Sequence, residues 1–149
     1  MFKRIAFILI SFGFTFIAFT QNEWKHGRLE VTKDGHYLQY KDGTPFFWLG
    51  DTGWELFHRL KKEEIEKYLD NRKAKGYNVI QAVILAEFDG LTRPNQYGEV
   101  PLNDLDPAKP NEKYFELVDW TVQQAMKRNM FMGLLPTWGD KVIDRKSVV

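Results

Sequence analysis

Apolar and polar residues change rhythm along this chain. Residues 5–19 are almost continuously apolar behind Lys3 and Arg4. From Leu29 the pattern becomes alternating, first Leu29-Glu30-Val31-Thr32 and then His36-Tyr37-Leu38-Gln39-Tyr40, with Lys33-Asp34-Gly35 between. Two alternating runs around Asp-Gly predict an antiparallel hairpin, with a type I′ turn that sets both central residues at positive φ. Lys41-Asp42-Gly43-Thr44 turns the chain once more.

A third rhythm starts at Pro45. Residues 46–50 form a short apolar run that empties into Asp51-Thr52-Gly53. Such runs, bounded by turn residues, read as strands buried on both faces, which sets Asp51 at a carboxyl end. A helical turn over 54–60 leads to a charged helix over 62–75, where Ile65, Tyr68, Leu69 and Arg72 share one face. The Arg72 stem is able to cover the rim of the core. Gly76 suits the left-handed residue that ends a helix. Residues 78–85 predict a second buried strand, delivering Ala86-Glu87-Phe88. A proline-bearing loop over 89–110 follows, of a length that marks functional or disordered segments. Asn111 caps a helix to 129, with Tyr114, Leu117, Val118, Thr121, Ala125 and Met126 on its inner face. Residues 131–135 predict a third strand, ending in Pro136-Thr137-Trp138-Gly139-Asp140.

Apolar strands alternating with helices argue for parallel βαβ units, an α/β fold in which ligands sit at the strands' carboxyl ends. A (β/α)₈ barrel takes about 250 residues. The chain has 149. Three strands and two helices therefore leave two readings open, a small open α/β domain or a portion of a longer barrel.

Composition narrows the function classes. At 44% hydrophobic residues the chain builds a real core, and an aromatic share of 15% hints at a sugar binder. The formal charge of +1 gives no basis for a nucleic-acid partner. The chain has no cysteine, which excludes disulfides, thiol nucleophiles and thiolate metal sites. Lys3 and Arg4 before the apolar run, with Ala18 and Thr20 after it, read as a secretory signal peptide over residues 1–20. The competing reading is an uncleaved membrane anchor. Cleavage predicts a secreted or periplasmic protein with no stable membrane partner. Residues 21–44 are then a segment with a hairpin, and 45–143 the main domain.

The run from Phe46 to Phe57, FFWLGDTGWELF, closely resembles the start of the apiosidase-like catalytic domain, glycoside hydrolase family 140. Gly76-Tyr77-Asn78-Val79-Ile80-Gln81 and Pro136-Thr137-Trp138-Gly139-Asp140-Lys141 resemble that family's next two strand signatures, and the Asp-Gly hairpin resembles its lead-in. The resemblance spans residues 29–142. It implies the N-terminal portion of a (β/α)₈ barrel, about three βα units behind a hairpin. It also implies hydrolysis of glycosidic bonds in plant pectic polysaccharide, with apiose-linked side chains as substrate. Such barrels place the acid/base on a middle strand and its partner carboxylate on a late one, so no residue here is assigned a catalytic role, and the isolated chain is expected to be inactive. Residues 144–149 back-translate to GATCGGAAGAGCGTCGTG, which resembles a sequencing adapter and predicts a non-native tail.

The candidate substrate-binding residues are Asp51, Trp54, Gln81, Glu87 and Trp138. Asp51 has three readings: a sugar contact, an N-cap for the following helical turn, or the acid of an aspartic protease, whose motif is apolar-apolar-Asp-Thr-Gly. The last requires a pair of such acids, and only one Asp-Thr-Gly occurs. Glu87 either meets sugar hydroxyls or pairs with Arg93 or Lys141. Gln81, mid-strand, needs a polar partner if it faces inward. Trp54 and Trp138 follow strand ends, where aromatic rings stack on the apolar faces of sugars, whereas Trp48 and Trp120 read as core. His26, His36 and His58 show no metal-ligand spacing, and His58 reads as a helix-surface residue. Asn103-Asp104-Leu105-Asp106 reads as a solvated turn rather than a calcium loop. No cofactor or metal is expected, and the partner is carbohydrate. The rival from another class is a non-catalytic saccharide-binding protein.

Overall fold

The computed structural model describes residues 24–139. The signal peptide read over 1–20, and the tail over 144–149, lie outside the described residues. Strands β1 (Leu29–Val31) and β2 (Leu38–Tyr40) form an antiparallel hairpin. Strands β3 (Gly50–Thr52), β4 (Val79–Leu85) and β5 (Phe131–Thr137) form a parallel sheet in the order β3-β4-β5. Helices α1 (Leu56–Arg59) and α2 (Lys62–Ala74) connect β3 to β4, and α3 (Glu112–Lys127) connects β4 to β5. This is a mixed α/β fold of successive βα units behind a hairpin.

Hydrophobic burial divides the sheet into two faces. Ile80 and Ala82 join Ile65 and Leu69 of α2 and Leu117, Val118 and Ala125 of α3 in one core. The alternate residues of β4, Val79, Gln81 and Val83, therefore lie on the opposite face. Cross-strand register carries the division outward: Asp51 lies opposite Ile80, whereas Thr52 and Gly133 lie opposite Gln81. The hairpin packs against the start of β5, where Phe131 stacks on Trp24 at 4.7 Å and meets Tyr40 and Phe46.

Several sequence expectations need correction. The strand expected over 46–50 is β3, displaced toward Thr52. Asn78 is the cause: its amide donates to the Phe47 carbonyl at 2.6 Å and accepts from the Leu49 amide at 2.9 Å. Its side chain thus holds this backbone where a neighbouring strand would otherwise pair with it. Phe47, Trp48 and Leu49 stay exposed, so Trp48 is not core. Its indole folds back over Gly50, where any Cβ would lie 2.8 Å from the ring nitrogen. The hairpin turns are not type I′, because only Gly35 and Gly43 take positive φ and neither Asp34 nor Asp42 does. His58 is buried on α1 rather than lying on a helix surface. The third strand runs on through Pro136 to Thr137. Pro136 is tolerated because β5 is an edge strand among the described residues, so an amide there need not be paired.

Candidate functional site

Two tryptophans define the site. Trp54 follows β3 by way of Gly53, and Trp138 directly follows β5. Strand β4 separates those strands, yet the two rings meet edge to face, with centroids 5.3 Å apart at 60°. Parallel strands carry both residues to the same end of the sheet, and Gly53 is fixed there by its amide donating to the Gln81 carbonyl at 2.7 Å. Both rings remain half-buried. Part of each aromatic surface therefore stays accessible.

Glu87 leaves the end of β4, the strand between the two tryptophans, and is half-buried. One expected partner is otherwise engaged, since Arg93 pairs with Asp89 at 3.8 Å. The other, Lys141, lies outside the described residues. Gln81 lies on the face opposite the helices, and a Cβ at Gly133 would stand 3.3 Å from its Cγ. The missing side chain at Gly133 thus leaves room for the Gln81 side chain on the face opposite the helices.

Asp51 belongs to a different arrangement. It lies within β3, on the helix side, and its carboxylate is held by α2. Tyr68 Oη donates to Asp51 Oδ2 at 2.8 Å, and Arg72 Nε donates to the same oxygen. Arg72 also lies over the Tyr68 ring, 4.6 Å from its centroid. Burial works against ionisation of Asp51, but the Arg72 and Tyr68 hydrogen bonds, with the Thr52 amide and the Arg72 charge, outweigh it. Its pKa is lowered as a result. Burial, followed by the bond to Asp51, raises that of the Tyr68 phenol. Asp51 caps no helix either, since the residue ahead of α1 is Glu55. An acid locked to arginine within a parallel sheet does not fit an aspartic protease.

Sequence reasoning missed this strand-to-helix tether, although its signal was present. Tyr68 and Arg72 stand four apart on one helix face, a spacing that lets both reach a single acid on the neighbouring strand.

Residues 32–148 match the model of the apiosidase-like catalytic domain. The chain belongs to that family. Among solved structures, this apiosidase-like chain is similar to a protein described as a glycoside hydrolase, with 38% identity and a TM-score of 0.70. The match covers 80% of this chain and 27% of the other. A glycoside hydrolase family 5 protein from Bacteroides vulgatus gives 34% identity and a TM-score of 0.68, covering 80% and 26%. A further protein from the same organism shares the fold alone, at 17% identity and a TM-score of 0.60, over 75% and 24% of the two chains. No curated protein matches. The apiosidase-like chain thus spans about a quarter of the length of the solved glycoside hydrolases it matches.

An apolar cleft of about 380 Å³ lies near the same end of the sheet, between β4, β5 and the loop ahead of α3. Ile84, Leu102, Leu105, Phe115, Pro107 and Pro136 contribute to its lining. With so few hydroxyl-matching groups it suits no sugar, and the tryptophan pair remains the candidate. Among the described residues no cluster of His, Cys, Asp and Glu is arranged to hold a metal.

Proposed function

We propose that this chain forms the first three βα units of a (β/α)₈ glycoside hydrolase barrel that acts on pectic side chains outside the cytoplasm. The observation that carries the reading is the Trp54–Trp138 pair at the carboxyl end of a parallel sheet, in a chain of an apiosidase-like family. The pair offers apolar faces to a sugar ring. Glu87 accepts hydrogen bonds from its hydroxyls, and Gln81 supplies an amide from the face opposite the helices. Asp51 serves the site at one remove, by fixing β3 to α2 and so holding the strand that leads to Trp54.

Bond cleavage in such a barrel needs two carboxyl groups flanking the scissile bond. We assign neither to this chain, and the three parallel strands among the described residues are too few to close a barrel. The 149-residue chain therefore binds saccharide weakly and hydrolyses none. Titration with apiose-containing pectic oligosaccharides, followed by tryptophan fluorescence, tests this. Trp54→Ala and Trp138→Ala should each weaken binding about tenfold, which corresponds to roughly 1.4 kcal/mol. Unchanged binding in both variants would remove the site from this end of the sheet. Release of reducing sugar by the chain alone would overturn the assignment of catalysis elsewhere. Export rests on residues 1–20, and sequencing the mature N-terminus after expression in a secreting host tests it.

A further inference from the structure

Phe88 departs from what its local backbone asks for. The turn after β4 is closed by the Gly90 amide donating to the Glu87 carbonyl at 3.2 Å. Phe88 is the turn's first central residue, and its φ is 57°. A bulky side chain in that left-handed region is strained, and glycine or asparagine is the ordinary occupant. The turn's glycine is used elsewhere. At Gly90 any Cβ would come within 2.6 Å of both the Cβ and the carbonyl oxygen of Ala86, so that position admits no side chain.

Among the described residues burial does not offset the strain, because the Phe88 side chain is 76% exposed. Strained backbone of this kind clusters at active sites, ligand clamps and switch regions. The ring follows Glu87 directly, at the end of the sheet where Trp54 and Trp138 meet. It stacks on no other aromatic ring among the described residues. Phe88 is thus a second apolar platform, separate from the tryptophan pair, with a carboxylate beside it.

We propose that Phe88 forms a second saccharide subsite, stacking on the sugar adjacent to the one held by Trp54 and Trp138. This deepens the carbohydrate reading and rests on it. It also makes the site one for oligosaccharides rather than single sugars. Backbone strain aims the ring, and Glu87 accepts hydroxyl hydrogen bonds between the two platforms.

The test is a fluorescence titration of the full chain, below micromolar protein, with a pectic monosaccharide and its di-, tri- and tetrasaccharides. Affinity should rise about five- to tenfold from the monosaccharide to the longer ligands. Phe88→Ala should abolish that gain and leave monosaccharide affinity unchanged, and Phe88→Trp should retain it. Phe88→Gly should lose the gain while raising the melting temperature, since glycine relieves the left-handed strain. A length-dependent gain that survives in Phe88→Ala, or no such gain in the wild type, overturns the second subsite but leaves the tryptophan site standing. A marked drop in melting temperature in Phe88→Ala makes the ring a packing element and overturns the proposal as well. Failure of the wild type to bind any saccharide overturns the carbohydrate reading itself, and the subsite with it.

Discussion

Asp51 and Arg72 show how one side chain pair fixes a strand against a helix. Both are about three-quarters buried, with relative side-chain exposures of 24% and 28%, so their bond is screened less than a surface pair. Asp51→Asn should cost about 1–2 kcal/mol in urea unfolding, the range for a charge-assisted hydrogen bond lost in a half-buried setting. Arg72→Met should cost a similar amount. The double variant should cost less than the two singles together, because each single change removes the same interaction. The pH dependence has a definite sign. The Asp51 pKa is lower in the folded state, so its contribution is full above about pH 4, the unfolded carboxylate range. It is lost as pH falls through the lower folded value. The stability gap between wild type and Asp51→Asn should therefore narrow on acidification, and a gap constant from pH 6 to pH 2.5 would contradict the tether. The sequence places Asp51 at a strand's carboxyl end, whereas it lies within β3. Its orientation was not legible, because period-two alternation gives two faces without saying which one the helices cover.

Helix α3 was more readable at the level of elements. Asn111 was expected to cap α3, and its Oδ1 does accept from the Lys113 amide at 3.2 Å. The same side chain donates to Glu99 Oε2 and to the Val100 carbonyl, both at 2.9 Å, so it also ties the long loop to the helix. Asn111→Ala should destabilise by about 1–2 kcal/mol, at the upper end for a lone cap, measured by thermal or urea unfolding. Helix α2 ends as its sequence predicts, with Gly76 at φ 86°. Glycine 90 is different, since its need is steric rather than conformational. Gly90→Ala forces Ala86 and the turn apart and should cost more than about 1 kcal/mol. Its far-UV circular dichroism should be retained while the midpoint of urea unfolding falls. The first strand was misplaced because its apolar residues form a continuous run. Only the partner backbone decides where pairing begins, and Asn78 occupies part of that edge.

At the scale of the molecule, the parallel sheet has unpaired β3 and β5 edges among the described residues. Phe47, Trp48 and Leu49 lie exposed beside one of them, and Leu134 is exposed on the other. Such edges invite pairing with further strands. Sedimentation velocity should show association that grows with protein concentration, and Phe47→Lys should suppress it without altering the circular dichroism. A strictly monomeric wild type at tens of micromolar would argue that the edges are protected. The barrel proposal meets the same physics, since closure would satisfy both edges at once.

By itself, the sequence determined the elements and their order, because hydrophobic period, helix caps and glycine turns act over a few residues. It also carried the family, through the run around Asp51 and the two later strand signatures. Tertiary structure decided which face each strand residue occupies and which distant residues meet. Asp51 turned to the helices and Trp54 to Trp138 because parallel register, set jointly by three strands and the helices packed on them, fixes both choices. No local pattern contains that information.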